Sequence, residues 1–184
     1  MKTSIALVLI LAGASFVAGK WAFGEEAGQR EGRSWGRPDV APVTLPKYAA
    51  ECGSCHVAYP AGLLPARSWT RLMSSLDNHF GENAELAPAT RTLLLDYLLS
   101  GAADRSGDRR SLKIMGLLAA DATPLRITKT PYIAAKHREI PSYMIVGNEK
   151  VRSLSNCDAC HAQASKGNFS EHQVRIPGYG RWDD

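Results

Sequence analysis

Apolar residues recur along the chain at helical rather than alternating spacing. Trp69, Leu72, Met73, Leu76 and Phe80 stand at i, i+3, i+4, i+7 and i+11, which predicts an amphipathic helix from about Ala66 to Phe80, ended by Gly81. Three further helices begin where a proline can take the first helical position, whose amide has no intrahelical partner in any case. Pro46 opens a short helix that runs into the stretch ECGSCH, and Pro88 opens one through ATRTLLLDYLLS, closed by Gly101. Pro131, behind a Thr130 that can cap, opens another that stops before Pro141. The leucines between Leu93 and Leu99 lie on more than one helical face, so that helix is expected to be well buried. Leu112 to Ala120 fits a helix, and a last one is expected through EKVRSLSNCDACHAQAS, closed by Gly167. Ser142 to Val146 is a candidate strand with no evident partner. The class is therefore mostly α.

The first residues show a different pattern. Lys2 precedes an apolar run from Ile5 to Val17, as in a secretory signal, with small residues at Ala18 and Gly19 where cleavage would fall. The competing reading is an uncleaved anchor that continues through Trp21 and Phe23. Both place the globular part outside the cytoplasm, in the periplasm. Residues 20–43, rich in glycine and charge without a sustained period, read as an extended lead-in. The polar stretch from Ala102 to Asp108 divides the rest of the chain into an N-terminal module over 44–104 and a C-terminal module over 105–184, with an irregular tail from Asn168 to Asp184. A formal charge of +4 without any long run of Lys or Arg gives no basis for nucleic-acid binding.

The chemistry lies in the four Cys and five His. All the cysteines fall in two identical frames, Cys52-Gly53-Ser54-Cys55-His56 and Cys157-Asp158-Ala159-Cys160-His161. C-x-x-C-H is the attachment sequence for a c-type haem. Two thiols at this spacing add across the two vinyl groups of one haem, and the next residue then lies beneath the ring. His56 and His161 are thus expected as proximal iron ligands, and Cys52, Cys55, Cys157 and Cys160 as thioether attachments for two covalent haems. A four-cysteine zinc site fits less well, because far more residues separate Cys55 from Cys157 than the usual 15 to 20 or so between such pairs. A pair of redox dithiols would not require a His after each frame, and lacks the βαβ setting.

Each haem iron has one further axial position. His79 comes after Leu72 and Leu76 on the apolar face of the predicted helix, and His137 stands four residues after Ile133 on the inner face of the Pro131 helix. These two are favoured over His172, in the irregular tail, and over Met144; Met73 and Met115 continue leucine stripes and read as packing. Bis-His coordination leaves no open site for oxygen or peroxide, and it predicts lower potentials than Met ligation would.

The run ECGSCHVAYPAGLLPARSWTRLMSSLDNHFGENAEL, the later RITKTPYIAAKHREI, and the second CDACH with ASKGNF after it together resemble the dihaem cytochrome c family of proteobacteria. The likeness covers about Pro46 to Pro177. It implies an exported, mainly helical protein made of two small haem-binding modules packed together, both haems low-spin and bis-His. It also implies His79 and His137 as the distal ligands, His79 on the first haem and His137 on the second by sequence proximity. Implied partners are an oxygen-binding monohaem cytochrome, the sphaeroides haem protein, as acceptor and a membrane cytochrome b as donor. The expected function is electron transfer without bond chemistry. The rival from the enzyme class is a dihaem peroxidase or reductase with one open iron site.

Overall fold

The computed structural model describes residues 38–182. The expected signal or anchor, the first part of the lead-in, and Asp183 and Asp184 lie outside the described residues. No described helix is long and apolar enough to cross a membrane.

Six α-helices and one small hairpin are present among the described residues. Helix α1 spans Pro46–Cys52, α2 Ala66–Met73, α3 Pro88–Ser100, α4 Arg109–Leu117, α5 Pro131–His137 and α6 Ser142–Ile145. The hairpin pairs β1, Arg175–Ile176, antiparallel with β2, Gly180–Arg181. Each helix expected to open on a proline does so, at Pro46, Pro88 and Pro131.

The amphipathic helix is shorter than its periodicity. The hydroxyls of Ser74 and Ser75 turn back to donate to the carbonyl of Arg71, competing with the helix ladder. Ser75 leaves helical geometry at φ −135°, and a 3-10 turn over Leu76–Asn78 comes next. Phe80 and Gly81 then take φ of 60° and 103°, reversing the chain, so that His79 is carried on a turn and not on the helix. Two backbone hydrogen bonds between His79 and Glu82 close that turn, with His79 N donating to Glu82 O at 2.7 Å.

Four other expectations change. Helix α3 buries one stripe only: Leu94 and Leu98 are enclosed while Leu93 is 49% exposed, because the helix lies on the surface and packs one face on α2. Ser142–Ile145 is a helical turn and not a strand. The long helix expected around the second cysteine frame is replaced by turns and two short 3-10 segments, Cys157–Ala159 and Ala164–Lys166. There the Asn156 amide donates to Val151 O at 2.8 Å and Arg152 adopts φ 64°, both incompatible with a continuous helix. The tail, expected to be irregular, gains the hairpin, whose Ile176 is buried.

The core joins sequence-distant pieces. Val40 is completely buried, and the amides of Asp39 and Val40 donate to Gly167 O. Helix α4 packs on the 3-10 turn Ala61–Leu63, where the Ser111 hydroxyl donates to Gly62 O at 2.8 Å. Asp104 caps α2 from the stretch 102–108 by accepting from Ala66 N at 2.8 Å.

Candidate cofactor sites

Two cavities open in this core, and each is flanked by two imidazoles and a cysteine frame. The first is lined by Cys52, Cys55, His56 and His79 with apolar walls that include Leu72 and Met73. Helix α1 ends at Cys52, so the first frame leaves the helix as a tight turn with Gly53 N donating to Ala49 O. His56 Nδ1 lies 2.8 Å from Val57 O, and since a carbonyl only accepts, Nδ1 carries the proton and Nε2 is left for a metal. Across the cavity His79 faces it, ring centroids 6.4 Å apart and planes inclined by 29°.

The second cavity is lined by Cys157, Cys160, His161 and His137, with Ile133 and Phe169 among its apolar walls. His137, the last residue of α5, donates Nδ1–H to Ile133 O at 2.8 Å, one helical turn back. It faces His161 with ring centroids 6.2 Å apart and planes inclined by 65°. His161 Nδ1 is buried without a hydrogen-bond partner.

These separations test what the cavities can hold. With a metal–nitrogen bond of about 2 Å and about 1.1 Å from nitrogen to ring centre, two imidazoles on one metal place their centroids about 6.3 Å apart. Both pairs match this. Yet no group of three or more His, Cys, Asp or Glu suited to a metal ion exists among the described residues, so the remaining donors must come with the ligand. A porphyrin supplies four in one plane. The same observation argues against a zinc site built from the cysteines, and none of the four is in a disulfide.

Burial keeps two of the imidazoles in the neutral state that iron ligation requires. The His161 pKa is lowered from 6.5 to about 4, first by burial and then by the nearby His137 and Arg110, with Asp39 opposing. That of His79 is lowered by burial, His56 and Arg126. Both imidazoles are therefore neutral near pH 7, as metal ligation demands. Burial raises the thiols of Cys52 and Cys157 to about 11 and also raises that of Cys160.

Of the other residues weighed as ligands, Met73 packs in the first cavity's wall, Met144 lines neither cavity, and His172 is exposed on the 3-10 turn Glu171–Gln173.

Several residues that the sequence pattern did not single out join these sites. Tyr59 stacks on His56 at 4.6 Å and donates its hydroxyl to Ser155 O at 2.5 Å, tying the first frame to the loop before the second. Its position three residues after the first frame was the available signal. The Arg126 guanidinium covers Phe80 at 3.8 Å beside the first cavity. Cys157, Ile127 and Thr128 line both cavities, so a cysteine of one site forms wall of the other.

The chain is similar to known dihaem proteins. Residues 48–169 match the model of the family described as dihaem cytochrome c. The solved dihaem cytochrome c from Rhodobacter sphaeroides is 49% identical, covering 71% of this chain and 100% of that one, with a TM-score of 0.63. That from Shewanella baltica OS155 is 43% identical over 74% of this chain and 96% of its own, with a TM-score of 0.62. Among curated proteins no match is found.

Proposed function

Because the chain belongs to the dihaem cytochrome c family and carries two covalently bound haems c, we propose that it relays electrons between redox partners in the periplasm. The observation that supports this best is the pairing of imidazoles, His56 with His79 and His137 with His161, at separations that fit axial ligands on both faces of a haem. Cys52 and Cys55 attach the first haem and Cys157 and Cys160 the second. His56 and His161 are the proximal ligands, His79 and His137 the distal ones.

When bound, each haem supplies an iron that alternates between ferric and ferrous states. The residues keep that change inexpensive in reorganisation. Hydrogen bonds to Val57 O and Ile133 O fix the ring orientation of His56 and His137 in both states. The closed turn at Gly81 holds His79 in place, and apolar side chains form much of the wall of both cavities. Arg126, beside the first cavity, offers a cation to a haem propionate there. The shared wall at Cys157 supports transfer between the two haems within the protein.

The apolar run from Ile5 to Val17 supports export. An oxygen-binding monohaem cytochrome is the acceptor we propose and a membrane cytochrome b the donor. The purified holoprotein tests the core of the reading: ferric spectra with low-spin iron only, and no rapid cyanide binding, are expected. A resting high-spin haem that binds cyanide quickly would favour a dihaem peroxidase or reductase instead. Stopped-flow mixing of the reduced protein with the monohaem cytochrome tests the partner, and a second-order oxidation of both haems is expected.

A further inference from the structure

A buried ion pair stands at the second cavity and is linked to the second proximal histidine through the Phe169 ring. Arg110 Nη2 lies 2.5 Å from Asp39 Oδ2, and the two side chains are 12% and 4% exposed. The Arg110 guanidinium also lies 5.4 Å over the Phe169 ring, and that ring is 5.5 Å from His161. Arg110 lines the second cavity itself. Asp39 is anchored beside it through its amide to Gly167 O at 3.0 Å, shortly after the second cysteine frame, and Arg110 N returns a bond to Asp39 O at 2.9 Å.

Three polar atoms in this cluster are buried without a hydrogen-bond partner: Asp39 Oδ1, Arg110 Nε and His161 Nδ1. Buried polar atoms are ordinarily satisfied, so three together need a reason beyond packing. His56 and His137 give their Nδ1 protons to backbone carbonyls, whereas His161 has no such acceptor. The buried acceptor left over in its cluster is a carboxylate oxygen. A metal-bound histidine is commonly oriented and made more electron-donating by an outer carboxylate. The charges of Asp39 and Arg110 both reach His161, with opposite effects on its proton affinity.

We infer that Asp39 and Arg110 are positioning residues that set the reduction potential of the second haem, Asp39 lowering it and Arg110 raising it. The inference rests on the proposed role of His161 as a ligand of that haem. Oxidised iron carries one more positive charge than reduced iron. A fixed anion near the proximal imidazole therefore favours the oxidised state, a fixed cation the reduced state, and neither is screened much at this depth. The first site has no such pair among the described residues, so the pair acts on one of two otherwise similar centres.

Redox titration of the holoprotein, monitored optically and by EPR, tests this. The wave of the second haem is identified as the one altered in His137→Ala. Asp39→Asn is expected to raise that potential and Arg110→Gln to lower it, each changing the oxidised-to-reduced ratio at a fixed poise about tenfold, or about 59 mV for one electron. The first haem should stay put. A merely structural role would loosen the same packing in both variants and shift the second haem in the same direction, or shift neither; either result overturns the inference. If Asp39→Asn does not accumulate, Asp39→Ser removes the same charge, and one neutral variant suffices to read the sign. A high-spin second haem in the unaltered protein would instead overturn the bis-His reading on which the inference depends.

Discussion

His137 and His161 face each other with their planes inclined by 65°, while the corresponding angle between His56 and His79 is 29°. Axial imidazoles that lie nearly parallel interact with one of the two iron d-orbitals perpendicular to the haem more than the other, splitting them; crossed rings leave the pair closer in energy. Low-temperature EPR of the ferric protein should therefore show two different low-spin signals of equal intensity. The strongly anisotropic one, with the larger g value, belongs to the second haem and should be lost in His137→Ala. A single signal accounting for both irons would contradict the two geometries.

Replacing a distal ligand should affect one centre only. His79→Ala is expected to turn half of the haem high-spin and to create a cyanide-binding site, with the other half unchanged. His137→Ala should do the same for the other half. Optical and EPR quantitation of high-spin iron checks both. If either variant keeps all its iron low-spin, that histidine is not a ligand.

Gly167 and Gly178 both take positive φ, 73° and 84°, but only one is crowded. A Cβ on Gly167 would meet Val40 O at 2.1 Å, while one on Gly178 would meet nothing within 4 Å. Gly178→Ala should cost about 1–2 kcal/mol from the left-handed backbone alone. Gly167→Ala adds overpacking against backbone that cannot yield easily, typically about 1–3 kcal/mol more. Guanidinium unfolding of the two variants should show the larger loss at Gly167, and equal losses would refute the close approach of residues 40 and 167.

Lys136 reaches Glu171 at 2.5 Å, and this hydrogen bond is the chief reason the Glu171 carboxyl is held below its ordinary value of 4.5. A depressed carboxyl pKa stabilises the fold above the unfolded value and loses that contribution as pH falls through the folded one. Both side chains are more than a third exposed, so the whole contribution is at most about 1 kcal/mol. Glu171→Gln should therefore lower stability slightly at pH 7 and low salt, and the difference should vanish as pH falls through the depressed folded-state pKa of Glu171. A difference that persists unchanged into acid would mean that the pair is not its cause.

The legible parts of this protein are those written in short stretches of chain. Helix starts at Pro46, Pro88 and Pro131 result from a rigid φ and a missing amide proton. His79 was legible as a candidate but not in its setting. Periodicity extended the helix to Phe80, and the serine hydroxyls that end it at Met73 act through local hydrogen bonds that a hydrophobic pattern does not register. The polar residues around the second cysteine frame misled the helical reading for the same reason.

By itself the sequence determined the chemistry: two C-x-x-C-H frames whose spacing suits two vinyl groups and one iron, and a predominantly helical chain to hold them. Only the tertiary structure decided which groups meet. Asp39 and Arg110 pair across 71 residues, and Tyr59 reaches Ser155 across 96, contacts that carry no local signature. Covalent attachment depends on neighbours along the chain, which a sequence states directly. The angle between two facing imidazoles and the charge near one of them depend on how distant segments close around a cavity, and that is fixed only when the core packs.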